Sequence, residues 1–276
     1  MINSYLSNVQ IIRLFLHPKP TNMNTPYILG ETGWKTVRDQ QYTMAILPWG
    51  ATEAHNYHLP FGTDNIETEF IARMSAQKAW GKGIRAVVLP VIPFGVNTSQ
   101  LDIYMTINMN PTTQLRILED VLMSLSNHNI SKIIVFNGHG GNDFKLLIRE
   151  LQPKFPEIFM MQLNWYEVVP LKDYFEEAGD HANEMETSVM MHIVPDLVLP
   201  LKEAGSGNAK TSRFSARKEG WVWFPRAWTQ VTRDTGIGNP KKATAQKGEK
   251  YLEVITDKIA DFLAELETTK PEEIYQ

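Results

Sequence analysis

The sequence predicts an α/β fold with a mainly parallel sheet covered by helices. Three observations carry that expectation. Short apolar runs rich in β-branched residues alternate with segments of helical spacing along most of the 276 residues. The helical segments stand between successive strands, as in βαβ units. The most polar, glycine-rich stretches directly follow strands, at the carboxyl edge where α/β sheets bind ligands.

In chain order, TMAILPWG (43–50) reads as a buried strand and NIETEFIARMSAQKAWGKG (65–83) as a helix stopped by glycine. RAVVLPVIPFG (85–95) is strand-like. The segment 111–129 opens on Pro111 and places Leu115, Ile117, Leu118, Val121, Leu122 and Leu125 along one helical face. KIIVFNGHG (132–140) is a strand running into glycines, and 143–155 is a helix. Residues 158–169 form another strand, 186–198 is helical up to Pro195, and 241–266 is an amphipathic closing helix. Between them, 203–240 is rich in Gly, Ser, Lys, Arg and Trp and shows no period. It reads as a surface excursion or a small hairpin around WVWF. A substrate-covering or subunit-contacting loop is the alternative, since Trp221, Trp223 and Trp228 are costly to leave in water.

Composition bounds the function. Hydrophobic residues make up 43 % and charged residues 21 %, ordinary globular usage, and the net charge of -4 gives no basic field for nucleic acid or anionic lipid. There are no cysteines, so disulfides, thiolate nucleophiles and Cys-type metal sites are excluded. Any metal is left to imidazole and carboxylate, which suits zinc, manganese or iron(II). No apolar stretch approaches the roughly 18 residues of a membrane span. Residues 1–26 are expected to be an N-terminal extension without signal-peptide character, 27–270 a single domain, and the location cytoplasmic.

Three polar clusters carry the chemistry. ATEAHNYHLPFGTD puts Glu53, His55, His58 and Asp64 within a short loop. Alternate side chains after a strand can turn Glu53 and His55 to one point, with Asp64 returning at the next helix. This is a ligand set for a two-metal hydrolytic site, against a polar loop in which Asp64 caps the helix. NGHGGND sets His139 between glycines at a strand's carboxyl end, either a metal ligand or a glycine-rich turn; a phosphate loop would need Gly-Lys-Ser/Thr, which is absent. GDHANEMETS groups Asp180, His181, Glu184 and Glu186 at a strand-to-helix junction, where Asp180 can orient the His181 imidazole or the acids can serve as ordinary helix-start residues.

The runs LPWGATEAHNYHLPFGTD, FNGHGGN, DHANEMETS and GNPKKATAQKG resemble the creatininase (creatinine amidohydrolase) family, over roughly residues 40–260. The resemblance implies a three-layer α/β sandwich with a binuclear zinc, manganese or iron site, zinc first among these. It also implies a homo-oligomer, commonly a hexamer, and hydrolysis of C–N bonds in cyclic amides, formamides or, in one branch, a peptide. By position, Glu53, Asp64 and His139 hold one ion with Asp64 bridging, while His55 and Asp64 hold the second with a further carboxylate. True creatininases supply that carboxylate two residues after the glycine-flanked histidine, where this chain has Gly141. Glu186 is the expected replacement, as in the GHGGN-bearing branches rather than true creatininases. His181 matches the family's catalytic histidine, with Glu184 beside it as a second proton carrier. His58 and Tyr57 are expected beside the metals or facing the substrate, and Tyr57 stands where small residues are usual.

The expected function is therefore a metal-dependent amidohydrolase acting on a small-molecule amide through a metal-activated hydroxide. A peptide-trimming member of the same fold and a non-catalytic binding protein are the competing readings. A serine-triad hydrolase is disfavoured because no G-x-S-x-G elbow is present.

Overall fold

The computed structural model describes residues 25–270 and 273–275. The extension expected over 1–26 therefore lies, apart from its last two residues, outside the described residues. Four parallel strands form the central sheet in the order β2-β1-β3-β4, with β1 at Met44–Trp49, β2 at Ala86–Val88, β3 at Lys132–Asn137 and β4 at Phe159–Asn164. The register is continuous across β1 and β3, from Met44 opposite Lys132 to Trp49 opposite Asn137. The central strands thus end level with one another, and the loops carrying the polar motifs leave from one edge.

The period of two along β1 sorts its side chains between two cores. Met44 and Ile46 face a layer made by α1 (Thr63–Gly81), α4 (Glu184–Ile193) and α5 (Ala245–Thr268), with Ile71, Val189 and Ile255 among its buried members. Ala45, Leu47 and Trp49 face the layer of α2 (Pro111–Ser126) and α3 (Phe144–Leu151), where Leu118, Leu122 and Phe144 are buried. Helices on both faces explain why all six residues of β1 are buried and why the strand reads as a continuous apolar run. This is the three-layer α/β sandwich the alternation predicts.

Local chemistry sets the helix ends. Thr244 caps α5 by accepting from the Lys247 N–H, Asn183 caps α4 by accepting from the N–H groups of Met185 and Glu186, and Pro111 occupies the first turn of α2. Helix α5 crosses α4 closely at Gly248, where a Cβ would stand 2.1 Å from the Ser188 carbonyl oxygen. Only glycine allows that approach.

Several boundaries differ from the sequence reading. The strand expected over 85–95 pairs only through Ala86–Val88 and then makes a single bridge, Ile92 to Trp49, because prolines at 90 and 93 supply no backbone N–H to a ladder. The strand expected to 169 ends at Asn164 in a 3₁₀ turn. A two-stranded ribbon, β5 (Gly179–His181) antiparallel to β6 (Ile237–Gly238), ties the third motif to the end of the irregular segment. Within 203–240 there is no hairpin at WVWF; besides β6, the segment holds the single turns Ser215–Lys218 and Trp228–Val231 and an isolated bridge between Ala209 and Thr232. Trp221 and Trp223 are 71 % and 76 % exposed, while Trp228 is buried. Among the described residues no helix is long and apolar enough to cross a membrane.

Candidate metal centre

Three loops deliver acids and histidines to one buried point. The loop after β1 carries Glu53 and His55, the first turn of α1 carries Asp64, the turn after β3 carries His139, and the β5–α4 junction carries His181 and Glu186. These six residues make three overlapping groups of possible ligands: Glu53, Asp64 and His139; His55, Asp64 and Glu186; and Glu53, His55 and His181. Within each group the ligand atoms lie within 4.8 Å of one another. Asp64 is shared by the first two groups. Its Oδ1 lies 2.8 Å from His55 Nε2 and its Oδ2 lies 3.0 Å from His139 Nδ1.

The imidazoles are held from behind. His55 Nδ1 contacts the Glu53 carbonyl oxygen at 3.1 Å, His139 Nε2 the Val96 carbonyl at 3.1 Å, and His181 Nε2 the Ala54 carbonyl at 2.8 Å. A carbonyl only accepts, so each of these outer nitrogens donates its N–H, and the inner nitrogen is left to present a lone pair. Those lone pairs converge on carboxylates. His139 Nδ1 is also 3.0 Å from Glu53 Oε1, and His181 Nδ1 is 3.7 Å from the same oxygen. Lone pairs facing carboxylate oxygens repel unless a proton or a cation lies between them. Asp64 Oδ2 and Glu186 Oε2 are, in addition, buried without an aligned hydrogen bond. Backbone-anchored imidazoles, converging carboxylates and orphaned oxygens fit a divalent metal pair.

The same geometry fixes the electrostatics of the metal-free centre. Burial alone would depress the His55 imidazole, but the neighbouring Asp64 carboxylate overrides it and raises the group to about 10. His139 is likewise raised well above its usual range, burial being outweighed by Glu53 and Asp64. Burial pushes the Glu186 carboxyl up to about 7, partly countered by His55. His181 moves the other way, because burial and then the nearby His55 charge hold it below its ordinary value.

A pH dependence follows. A His55 that titrates at about 6.5 when unfolded and about 10 when folded stabilises the fold fully below 6.5, and that contribution fades as pH rises towards 10. Glu186, raised from 4.5 to about 7, takes up its proton more readily in the folded state and acts in the same direction at lower pH. The chelator-treated protein is therefore expected to melt at a lower temperature at pH 9 than at pH 6. Added zinc should shrink that difference by replacing the protons between the imidazoles and the carboxylates. A melting temperature that rises from pH 6 to pH 9 in the metal-free protein would contradict the geometry.

Glycine and asparagine build the His139 turn. At Gly141 a Cβ would stand 2.4 Å from His139 Nε2 and 2.4 Å from the Val96 carbonyl oxygen, so the turn has no room for a side chain there. Asn137 Oδ1 accepts from the His139 N–H at 3.1 Å, and Asn142 Nδ2 donates to the same oxygen at 3.0 Å. Asn142 Oδ1 then accepts from the Val96 N–H and from Gln114. The asparagines and Gln114, which the sequence reading passed over, thus hold both His139 and the carbonyl behind it. Gln100, hydrogen-bonded to Glu53 Oε2, was passed over too.

Not every expected residue reaches the centre. Glu184 is fully buried, but its Oε2 accepts from the N–H groups of Glu176 and Glu177 and its Oε1 pairs with Lys247, so it faces α5. The expectation of a proton carrier at Glu184 is corrected on that ground: helix geometry separates it from Glu186, and its charge is already compensated. Asp180 pairs with Arg226 instead of orienting His181, whose outer nitrogen is taken by the Ala54 carbonyl. Tyr57 is 59 % exposed, with its hydroxyl donating to the Arg233 carbonyl. His58 is buried against the Thr187 hydroxyl at 2.9 Å, and burial together with His55 depresses it to about 4, so it is neutral and braces α4. Nor is Asp64 the cap of α1, since both its oxygens point to histidines.

Lys247→Ala isolates the structural pair. It leaves the Glu184 carboxylate in the interior with only its two backbone donors. The expected cost is about 2–3 kcal/mol, below the roughly 3–5 kcal/mol of a fully buried pair because Lys247 is partly hydrated. Urea unfolding measures it, and metal content should not change.

A cavity of about 400 Å³ opens above the centre, with Glu53, Asp64, His139, His181 and Glu186 in its lining and Gln100 and Tyr166 beside them. Its outer wall comes from the irregular segment and includes Arg217, Trp223, Phe224, Arg226 and Trp228. The Trp228 ring meets His181 edge-on at 5.2 Å.

Comparisons with known proteins agree with this architecture. The family model Creatininase, described as creatinine amidohydrolase, matches residues 30–263. A Bacteroides fragilis NCTC 9343 protein, provisionally described as a creatinine amidohydrolase, has a crystal structure 42 % identical to this chain, with a TM-score of 0.87, covering 92 % of this chain and 100 % of its own. A mycofactocin precursor peptide peptidase of Mycolicibacterium smegmatis is 26 % identical, covering 79 % of this chain and 83 % of that protein. The creatinine amidohydrolase of Pseudomonas putida is 23 % identical over 88 % and 98 %. A manganese form of a creatininase superposes with a TM-score of 0.74 at 22 % identity, over 88 % of this chain and 99 % of its own, which speaks for the fold alone.

Proposed function

The chain belongs to the creatininase family, and we propose that it is a metal-dependent amidohydrolase cleaving a C–N bond of a small cyclic amide or formamide. The observation that carries this reading is the convergence of three backbone-anchored imidazoles on shared carboxylates at the floor of a cavity of about 400 Å³. Glu53, Asp64 and His139 would hold one ion, and His55, Asp64 and Glu186 the other, with zinc the first candidate and manganese or iron the alternatives. When bound, such ions polarise a carbonyl and make water nucleophilic near neutral pH.

The chain's own residues supply the rest. His181 is held neutral by its buried surroundings, and because its Nε2–H is committed to the Ala54 carbonyl, Nδ1 is the atom that accepts a proton and returns it to the departing nitrogen. Trp228 packs on the open edge of that ring and limits water around it. Asn137 and Asn142 fix His139, and Gln100 fixes the outer oxygen of Glu53.

Two observations favour a second reading, trimming of a short peptide. The relatives above include a peptide peptidase, and the cavity wall carries exposed aromatic side chains on which a chain end could rest. Turnover assays of the zinc-loaded protein on cyclic amides and formamides, beside short peptides, decide between them. Hydrolysis of formamides or cyclic amides with no peptide cleavage supports the first reading; peptide cleavage alone replaces it with the second.

A further inference from the structure

Two guanidinium groups line the cavity, and they differ in what already satisfies them. Arg226 is paired with Asp180 through both of its terminal nitrogens, a fork-to-carboxylate arrangement that uses its charge and its directional donors. Arg217 has no acidic partner and no hydrogen bond among the described residues. Its only close charge-related contact is the face of the Phe224 ring, 5.4 Å from the guanidinium carbon. That cation–π contact leaves its N–H groups unused. Arg217 sits on the single turn Ser215–Lys218, is half-buried, and shares the cavity with the acids of the floor.

The charge pattern of the cavity is therefore polarised. Carboxylates crowd its floor, and among the described residues of its lining Arg217, on the irregular segment, is the cation without an acidic partner. We propose that the substrate carries a carboxylate remote from the scissile amide, and that Arg217 receives it in a bidentate contact. The group assigned to Arg217 is an anion of planar, two-oxygen geometry, which a guanidinium fork matches and a lysine ammonium does not. An N-acyl amino acid satisfies both ends: amide to the floor, carboxylate to the wall. Arg217 is then a specificity residue that orients the substrate end to end. This assignment rests on the amidohydrolase reading only for where the scissile amide lies.

The test uses matched pairs that differ in charge and little else. N-formylglycine, N-formyl-4-aminobutanoate and N-formyl-6-aminohexanoate place the carboxylate at increasing distances from the amide, and each is compared with its own neutral primary amide. Binding is read by calorimetry on the zinc-loaded full-length protein, and turnover is read separately. At least one acid is expected to bind roughly tenfold or more tightly than its amide, a preference in the range of a charge-assisted bidentate contact. Arg217→Ala should erase that preference, while Arg217→Lys should retain only part of it. The inference is overturned if no pair shows a preference for the acid, or if the preference survives in Arg217→Ala, which would place the carboxylate on the metal centre. Hydrolysis of neutral amides without acid preference defeats this inference alone. Acid-selective, Arg217-dependent binding without hydrolysis of any amide defeats the amidohydrolase reading alone.

Discussion

Asp64→Asn is expected to remove both metal ions together with activity. Asp64 is the only residue present in both the Glu53–Asp64–His139 group and the His55–Asp64–Glu186 group. Its two oxygens serve different histidines, 2.8 Å from His55 Nε2 and 3.0 Å from His139 Nδ1. An asparagine keeps the shape of the side chain but replaces one oxygen with an NH₂ group, which cannot ligate as a carboxylate oxygen does. The loss of activity should exceed the roughly 10–100-fold that follows from changing a residue behind a ligand. Elemental analysis after equilibration with zinc reads the metal content. Circular dichroism should show an intact fold, because the sheet and both of its apolar layers are untouched. Retention of two ions in Asp64→Asn would remove this residue from its bridging position.

His139→Ala should behave differently, and the contrast is informative. It breaks the Glu53–Asp64–His139 group but leaves His55, Asp64 and Glu186 in place, so the bound metal should fall from two ions to one. Activity should again drop by more than about 100-fold, because the chemistry of a paired site needs both members. The deletion leaves a small void beside Gly141 and removes the contact to the Val96 carbonyl. Some loss of stability, about 1–2 kcal/mol, is expected from the unpaired carbonyl. Equal metal content in His139→Ala and the unchanged protein would show that the imidazole is not a ligand.

How much of this was legible in the sequence depends on the distance over which each contact acts. The sheet and its helices were readable because burial on both faces writes a local signal: unbroken apolar strands such as residues 44–49 and a one-sided stripe along residues 111–126. The positions of Glu53, His55, Asp64, His139 and Glu186 were readable as motifs, since each sits at a strand's carboxyl end or a helix start where side chains must converge. What could not be read was which polar group answers which. Glu184 and Glu186 stand two residues apart, and no local signal says that the first meets Lys247, 63 positions away, while the second joins His55 and Asp64. Gln100 reaches Glu53 across 47 positions through a loop without periodicity. The segment 203–240 was illegible for the same reason, its order coming from contacts such as the Asn56 N–H with the Thr235 hydroxyl and the β5–β6 ribbon rather than from a repeat.

The GHGG turn shows how a departure from the family pattern acquires a physical reason. Gly141 reads in the sequence as a missing ligand, and in the fold it is a position where even a methyl group would collide with His139 and Val96. The carboxylate of Glu186 reaches His55 and Asp64 from α4, whose first turn is capped by Asn183, so Glu186 is spared that task and keeps an oxygen without a hydrogen bond.

The most direct test of the two-ion centre is a crystal structure of the zinc-equilibrated protein with data collected on both sides of the zinc absorption edge. Two anomalous peaks are expected in the cavity floor, one against Glu53, Asp64 and His139 and the other against His55, Asp64 and Glu186, with Asp64 touching both. A single peak, or peaks that leave Asp64 or Glu186 without contact, would contradict the two-ion centre.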